Sequence, residues 1–152
     1  MVERTADGRH IVVDGRRWRA TDPSIPETLR QELVNELMAA RRIQDRPRTQ
    51  DAKVALGERG EPWWEPTDDG RRRRLRAAIL ALATHRAPKT TCPSDAARAV
   101  GGDTWRRLMP LAREVAAELV AEGEVEVTQK GEVVDPATAE GPIRIRRSAP
   151  DA

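Results

Sequence analysis

The 152-residue chain is long enough for one domain of ordinary size or for two small ones that share a core. No apolar run approaches the ~18 residues of a membrane span, so we expect a soluble cytoplasmic protein with no membrane partner. The formal net charge of +2 conceals a basic excess in residues 71–152, while one cysteine and two histidines exclude an internal disulfide and argue against a Cys/His metal centre.

The N-terminal part, residues 1–66, is predicted to hold a β-hairpin followed by two helices. Asp14-Gly15 is a strong two-residue turn signal in the middle of HIVVDGRRWRA. Apolar residues then recur at helical spacing from a proline-led start to about Ile43. A shorter helix is predicted over 50–59, and the segment GEPWWEPTDDG marks a junction because prolines and glycines interrupt it.

The C-terminal part, residues 67–148, is predicted to form three helices and a β-hairpin. The first helix begins at an acidic pair, and the second is the short segment PSDAARAV, closed by two glycines. The third runs from an Asp103 N-cap to about Glu122, and we expect Pro110 to kink it or to reset its start. The strands EVEVT and EVVD follow around a tight turn, and IRIRR can add a third.

Helix, short extended segment, helix, glycine turn, helix and hairpin is the element order of winged-helix domains. The predicted fold class is therefore α+β, mainly α, with a winged helix-turn-helix domain at 67–148 behind a small N-terminal β-hairpin and helix unit at 1–66. Residues 149–152 are expected to form a disordered tail. The fold does not decide the function, because winged helices also serve as protein-binding and dimerisation modules.

Three segments carry a resemblance to a known family: TTCPSDAARAVGGDTWRRLM, AEGEVEVTQKGEVVD and GPIRIRR. They resemble a bacterial winged-helix family of unknown function, over about residues 74–147, through the proline-led second helix, the Trp-Arg pair and the Gly-Pro-Ile-Arg strand. Residues 1–65 look like an N-terminal unit that often precedes it. The resemblance implies the fold and carries across no catalytic or ligand residues.

The third helix is where a winged-helix fold would place base contacts, because this helix lies in the major groove. At about 100° per residue, the positions near one outward line are Arg106, Pro110, Arg113 and Ala117. Arginine reads guanine through paired hydrogen bonds. We therefore expect Arg106, Arg107 and Arg113 to contact duplex DNA. The alternative is that they form the solvated face of a surface helix.

Phosphate contacts are expected at basic residues outside that helix. The residues concerned are Arg71, Arg72, Arg73, Arg74, Arg98 and Lys130. The first four form the densest basic run of the chain, and clustered arginines release counterions when they bind phosphate. Arg98 lies on the second helix, and Lys130 is at the tip of the predicted wing. For the run of four, internal pairing with the acids at the helix start is the alternative.

The predicted wing favours a competing function. Its strands are rich in carboxylates, at Glu124, Glu126, Glu132 and Asp135. Strand alternation points the first two outwards, where DNA phosphates would be repelled. A protein partner or a homodimer contact is therefore the alternative to DNA, although the arginines of IRIRR can neutralise these acids.

Catalytic motifs do not occur in the chain. A glycine-rich phosphate loop, HExxH, GxSxG and a well-spaced Cys-His pair are all missing, so we expect neither an enzyme nor a bound cofactor or metal. The leading hypothesis is a DNA-binding winged-helix protein with transcriptional regulation as its candidate role. The alternative is a protein-interaction or dimerisation module.

The tryptophans and the cysteine have simpler interpretations. Trp18 and Trp105 are expected in the core, and Trp63-Trp64 is expected to pack the junction onto a neighbouring unit. Cys92 precedes the second helix, whose dipole can lower a thiol pKa, but the chain has no second cysteine to resolve an oxidised one.

Overall fold

A computed structural model describes residues 2–149 of the chain. Within these residues the fold is α+β, with two three-stranded antiparallel sheets, five α-helices and one 3-10 helix. The elements are β1 (Val2–Arg4), β2 (His10–Val13), β3 (Arg16–Arg19), α1 (Glu27–Arg42), α2 (Arg46–Ala55), α3 (Asp68–Arg86), α4 (Pro93–Gly101), the 3-10 helix (Gly102–Leu108), α5 (Met109–Ala121), β4 (Val125–Gln129), β5 (Glu132–Val133) and β6 (Arg144–Arg147). The expected disordered tail at 149–152 lies outside the described residues, apart from Ala149.

The N-terminal sheet confirms the predicted hairpin and adds β1 at its edge. Strands β2 and β3 turn at Asp14-Gly15, where both residues have positive φ angles of 49° and 78°. Trp18 on β3 is 41% exposed and lies against the guanidinium of Arg16, 4.3 Å from its ring centre. The expectation that Trp18 belongs to the core is wrong, because β3 is an edge strand and most of its side chains face solvent.

The tryptophan pair packs the junction onto this sheet, as expected. The indole nitrogen of Trp63 donates a hydrogen bond to the carbonyl of Ala20 at 3.0 Å, and the ring of Trp64 meets that of His10 edge-on at 5.6 Å. Gly57 makes the close approach possible: it has a φ of +78°, and a Cβ there would lie 3.2 Å from Trp63.

The second N-terminal helix begins earlier than predicted. Asp45-Arg46-Pro47 lies after the end of α1 and also begins α2, because the Asp45 side chain accepts a hydrogen bond from the Arg48 amide at 3.1 Å and the proline sits in the first turn. The helix ends at Ala55 rather than at 59. The first helix, α1, agrees with its prediction.

The predicted third helix of the C-terminal part is two elements. A 3-10 helix covers Gly102–Leu108, and α5 begins at Met109, so Pro110 resets the helix start, one of the two outcomes expected. Asp103 does not cap the long helix; it lies inside the 3-10 helix.

The C-terminal sheet has the order β5-β4-β6 and is extended by one bridge. Strand β4 pairs with β6 through Val127 and Ile145, and Thr91 exchanges two backbone hydrogen bonds of 2.7 Å with Ile145. Thr91 thus joins the segment before α4 to the edge of the sheet. This arrangement is compatible with a winged-helix-like fold without being specific to it.

One hydrophobic core joins the two parts of the chain. Its fully buried members include Leu33 and Leu56 from the N-terminal part, and Ile79, Leu119 and Ile145 from the C-terminal part. Helices α1 and α2 therefore pack directly on α3 instead of forming a core of their own. Within residues 2–149, no helix is long and apolar enough to cross a membrane.

Candidate functional site

The four consecutive arginines at the start of α3 have four different environments. Arg73 is exposed, Arg71 is half-buried and reaches Asp68 only at 3.5 Å, Arg72 turns towards α5, and Arg74 is buried. Successive helical residues point about 100° apart, so a run of four must cover the whole circumference. The run is therefore not one basic surface.

Arg74 is a structural residue. Its guanidinium forms an ion pair with Asp22 at 2.7 Å and donates to the carbonyls of Ala55 at 3.1 Å and Ala99 at 3.3 Å. Desolvation lowers the pKa of Arg74, and the neighbouring Asp22 opposes that shift. A phosphate contact by Arg74 would require these bonds to open, because its side chain is 9% exposed and already bonded to three partners.

Two more predicted DNA contacts lie against other parts of the fold. Arg72 bridges from α3 to α5 through Glu114 at 2.9 Å and through Glu118, and the hydrogen bond that it donates to Glu114 is the main cause that raises its pKa. Arg113 donates to the carbonyls of Gly141 and Ala139 at 3.0 and 3.3 Å, which holds the wing segment against α5. Contact with DNA by either residue requires these bonds to open.

Three of the predicted contacts lie at or beside one tryptophan. Trp105 lies between the guanidinium groups of Arg98 and Arg106, which are 4.5 and 4.6 Å from its ring. Arg98, Arg106 and Arg107 are all exposed, and none forms an ion pair with a carboxylate of residues 2–149. We call these three arginines, together with Trp105, the basic turn. Trp105 is half-buried and packs on the core, broadly as its prediction expected.

The outward face of α5 differs from the predicted one. Its exposed residues are Pro110, Glu114, Glu118 and Ala121, whereas Arg113 and Ala117 are half-buried. Arg106, where the predicted line began, lies in the 3-10 helix and not on α5, and within α5 the side chain of Arg113 bonds to the wing segment. The basic residues therefore meet solvent at the N-terminal end of α5 and not along its length.

The carboxylates of the wing strand are neutralised. Glu126 pairs with Arg146 at 2.8 Å and Glu124 with Arg147 at 3.0 Å, both across the β4–β6 pair. Lys130 is exposed at the turn between β4 and β5, with a positive φ of 51°. The acidic character that the strand shows in sequence is thus largely cancelled by the strand beside it.

A family match covers the part of the chain that holds these features. Residues 72–148, just over half of the chain, match the family described as "Protein of unknown function (DUF3253)". The chain belongs to this family. A comparison with curated proteins found no match. The DUF3253 segment has nearly the span predicted from the resemblance, 74–147, and it contains the basic turn, the wing and most of α3.

Sequence reasoning missed the residues that connect the DUF3253 segment to what precedes it. Asp22, Asp51, Arg59 and Glu61 come from the N-terminal part, yet they lie with the start of α3 around one cavity. No motif marks them, because the positions that meet are separated by up to about fifty residues along the chain. Cys92, half-buried at the start of α4, accepts a hydrogen bond from Ser94 at 3.1 Å.

Proposed function

We propose that the chain is a winged-helix protein that binds duplex DNA through the basic turn. The order α3, Thr91, α4, α5, β4, wing and β6 supports the winged-helix assignment, as does the pairing of Thr91 with β6 and of β6 with β4. In such a fold α5 corresponds to the recognition helix, whose N-terminal residues meet the base edges.

The observation that carries the proposal is the position of unpaired arginines directly before α5. Arg106 and Arg107 precede the helix by two or three residues, and Arg98 approaches from α4 across the Trp105 ring. A guanidinium stacked on an aromatic ring keeps its edge free for paired hydrogen bonds to guanine or phosphate. The ring also limits the motion of the arginines, which reduces the entropy lost on binding.

The proposed duplex contact on α5 is limited to its N-terminal end. Farther along the helix the exposed Glu114 and Glu118 would repel phosphates, although Arg72 partly neutralises them. Lys130 on the wing is available as a separate phosphate contact. Few phosphate contacts imply modest affinity, with a salt slope of about −0.9 for each phosphate contacted.

A protein partner that binds an acidic wing has less support. Glu124 pairs with Arg147, and Glu126 pairs with Arg146. The β4 side of the wing therefore carries little net negative charge. Its one large exposed apolar residue is Val133, and an isolated exposed apolar side chain is common on protein surfaces.

The test is fluorescence anisotropy of a labelled duplex titrated with the full chain at about 50 mM salt. We expect micromolar binding, weakened about tenfold or more in the double variant Arg106→Ala/Arg107→Ala, since a base-contacting arginine contributes about 1–3 kcal/mol. The matched control is Arg41→Ala/Arg42→Ala, which removes the same charge from exposed positions at the end of α1.

The control variant should retain nearly all of the affinity. Equal weakening in both double variants would mean that the DNA responds to total charge and not to the basic turn. No binding by the unaltered chain at low salt would reject the proposed function. Circular dichroism of each variant establishes that the fold is intact.

A further inference from the structure

A cavity of about 450 Å³ lies between the N-terminal helices and the DUF3253 segment. Its walls come from α2, from the 59–66 segment, from the first turns of α3 and from the junction of α4 with the 3-10 helix. This volume is within the range of about 300–1,000 Å³ that is usual for small-molecule sites. Asp22 and Ser24 in the loop before α1 complete the wall, and because five separate segments form it, the cavity exists only in the folded chain.

Five arginines line the cavity, of which Arg74 is engaged by Asp22 and three others are available for a ligand. Arg71 and Arg73 line it from α3 and Arg59 from the loop, and none of the three forms an ion pair shorter than 3.5 Å with the described residues. Arg76 also lines it: its Nη2 is 3.2 Å from Glu122, but its Nη1 is buried with no hydrogen-bond partner among the described residues. A buried donor without a partner costs stability and favours binding of an acceptor.

Two of the three carboxylates in the cavity are engaged elsewhere. Asp22 pairs with Arg74 at 2.7 Å, and Glu61 accepts hydrogen bonds from the hydroxyl and the amide of Thr67, the latter at 2.9 Å. Glu61 lies so close to α3 that a Cβ on Gly70 would collide with it, at 1.5 Å. Asp51 alone accepts no hydrogen bond from the described residues. The charge left for a ligand is therefore positive.

We propose that this cavity binds a small organic phosphate. Guanidinium groups bind phosphate oxygens through paired, charge-assisted hydrogen bonds, so the arginine side of the cavity suits the phosphate. Trp63, Val54 and Ala77 supply apolar walls for an organic group, which inorganic phosphate would leave empty. None of these observations depends on DNA binding, so the phosphate site and the DNA contact are independent proposals.

The test measures binding of adenosine monophosphate to the full chain by isothermal titration calorimetry. Inorganic phosphate and adenosine, each titrated alone, separate the contribution of the phosphate group from that of the organic group. We expect the nucleotide to bind about tenfold or more tightly than either fragment, because each fragment fills only one side of the cavity. Adenosine or phosphate binding as tightly as the nucleotide would overturn the assignment, and so would no binding.

Variants locate the site. Arg71→Gln/Arg73→Gln should weaken nucleotide binding about tenfold or more, since a charge-assisted hydrogen bond is lost at each position. Arg72→Gln is the matched control, because Arg72 lies between them in sequence but bonds to α5 and does not line the cavity. Asp51→Asn should tighten binding about threefold by removing a repelling charge. Equal effects of the double variant and the control would place the nucleotide elsewhere.

Discussion

Arg74 has a structural role that is not apparent from its position in a basic run. It closes the run of four arginines at the start of α3, yet it is the only one of them that is buried. Its guanidinium joins α3 to the loop at Asp22, to the end of α2 at Ala55 and to α4 at Ala99. Removal of one partner from a buried ion pair leaves an uncompensated charge in a medium of low polarity.

We predict that Arg74→Met lowers the free energy of unfolding by about 3–5 kcal/mol, because Asp22 then loses its partner. Urea denaturation followed by circular dichroism measures the change. The control is Arg72→Met, which removes a partly exposed guanidinium two residues earlier on α3. It should lower the free energy of unfolding by much less. If the two variants lose the same stability, Arg74 does not have the structural role assigned to it.

Asp51 provides a prediction about pH. Burial raises its pKa to about 6 from an ordinary value of 3.8, against the attraction of Arg76 and Arg147. The folded state therefore holds the proton more tightly than the unfolded state between about pH 4 and pH 6, so this group's contribution to stability falls as the pH rises through that range.

Asp51→Asn, which stays neutral, should therefore gain stability relative to the unaltered chain as the pH increases. The expected gain is about 1 kcal/mol at about pH 7.5, after a discount for partial exposure of the carboxyl, and about a third of that at about pH 4.5. Urea unfolding at both pH values measures it. A gain that is the same at both values would show that the raised pKa is not its cause.

At the scale of elements, local sequence signals located most of the helices and strands. The Asp14-Gly15 turn, the acid-rich start of α3 and the proline-led α4 each depend on residues within a few positions of one another. The start of α2 was predicted wrongly because the same residue types can begin a helix or end one. Asp45 and Pro47 are as suitable for starting a helix as for ending one, and the sequence alone did not decide between these uses.

Long-range relations could not be predicted from the chain. The pairing of β4 with β6 places Arg146 and Arg147 beside Glu126 and Glu124, which cancels an acidic surface that β4 shows in isolation. The cavity likewise needs α2 and α3 to be adjacent, and hydrophobic spacing shows only that each has a face to bury.

The shared core leads to a prediction about cooperativity. Leu56 precedes the DUF3253 segment and is fully buried, so Leu56→Ala should cost about 2–5 kcal/mol. Because the core is continuous, we expect the whole chain to unfold in one transition at lower urea. Urea unfolding is followed by circular dichroism and by tryptophan fluorescence. A single transition requires the two curves to coincide.

The matched variant lies inside the family segment. Leu119→Ala on α5 is also fully buried and should shift the same single transition. Two separate transitions, with the N-terminal part unfolding first in Leu56→Ala, would instead mean that the DUF3253 segment is an independent domain.

At the scale of the whole molecule, charge is abundant, and part of it is paired within the fold. The family segment uses arginines to connect α3 with α5, the wing with α5, and β6 with β4. The basic turn differs from other unpaired positions because its three arginines are exposed together, stacked on or adjacent to Trp105 directly before α5. The proposal of DNA binding therefore rests on where unpaired charge remains and not on the net charge of +2.

The most direct measurement is the salt dependence of DNA affinity for the unaltered chain and for Arg106→Ala/Arg107→Ala. The logarithm of the binding constant falls with the logarithm of salt concentration at a slope of about −0.9 for each phosphate contacted. If both arginines meet phosphates, the variant's slope should be shallower by about 1.8; if they read bases, affinity should fall with little change of slope. Affinity and slope that are both unchanged in the variant would contradict the account.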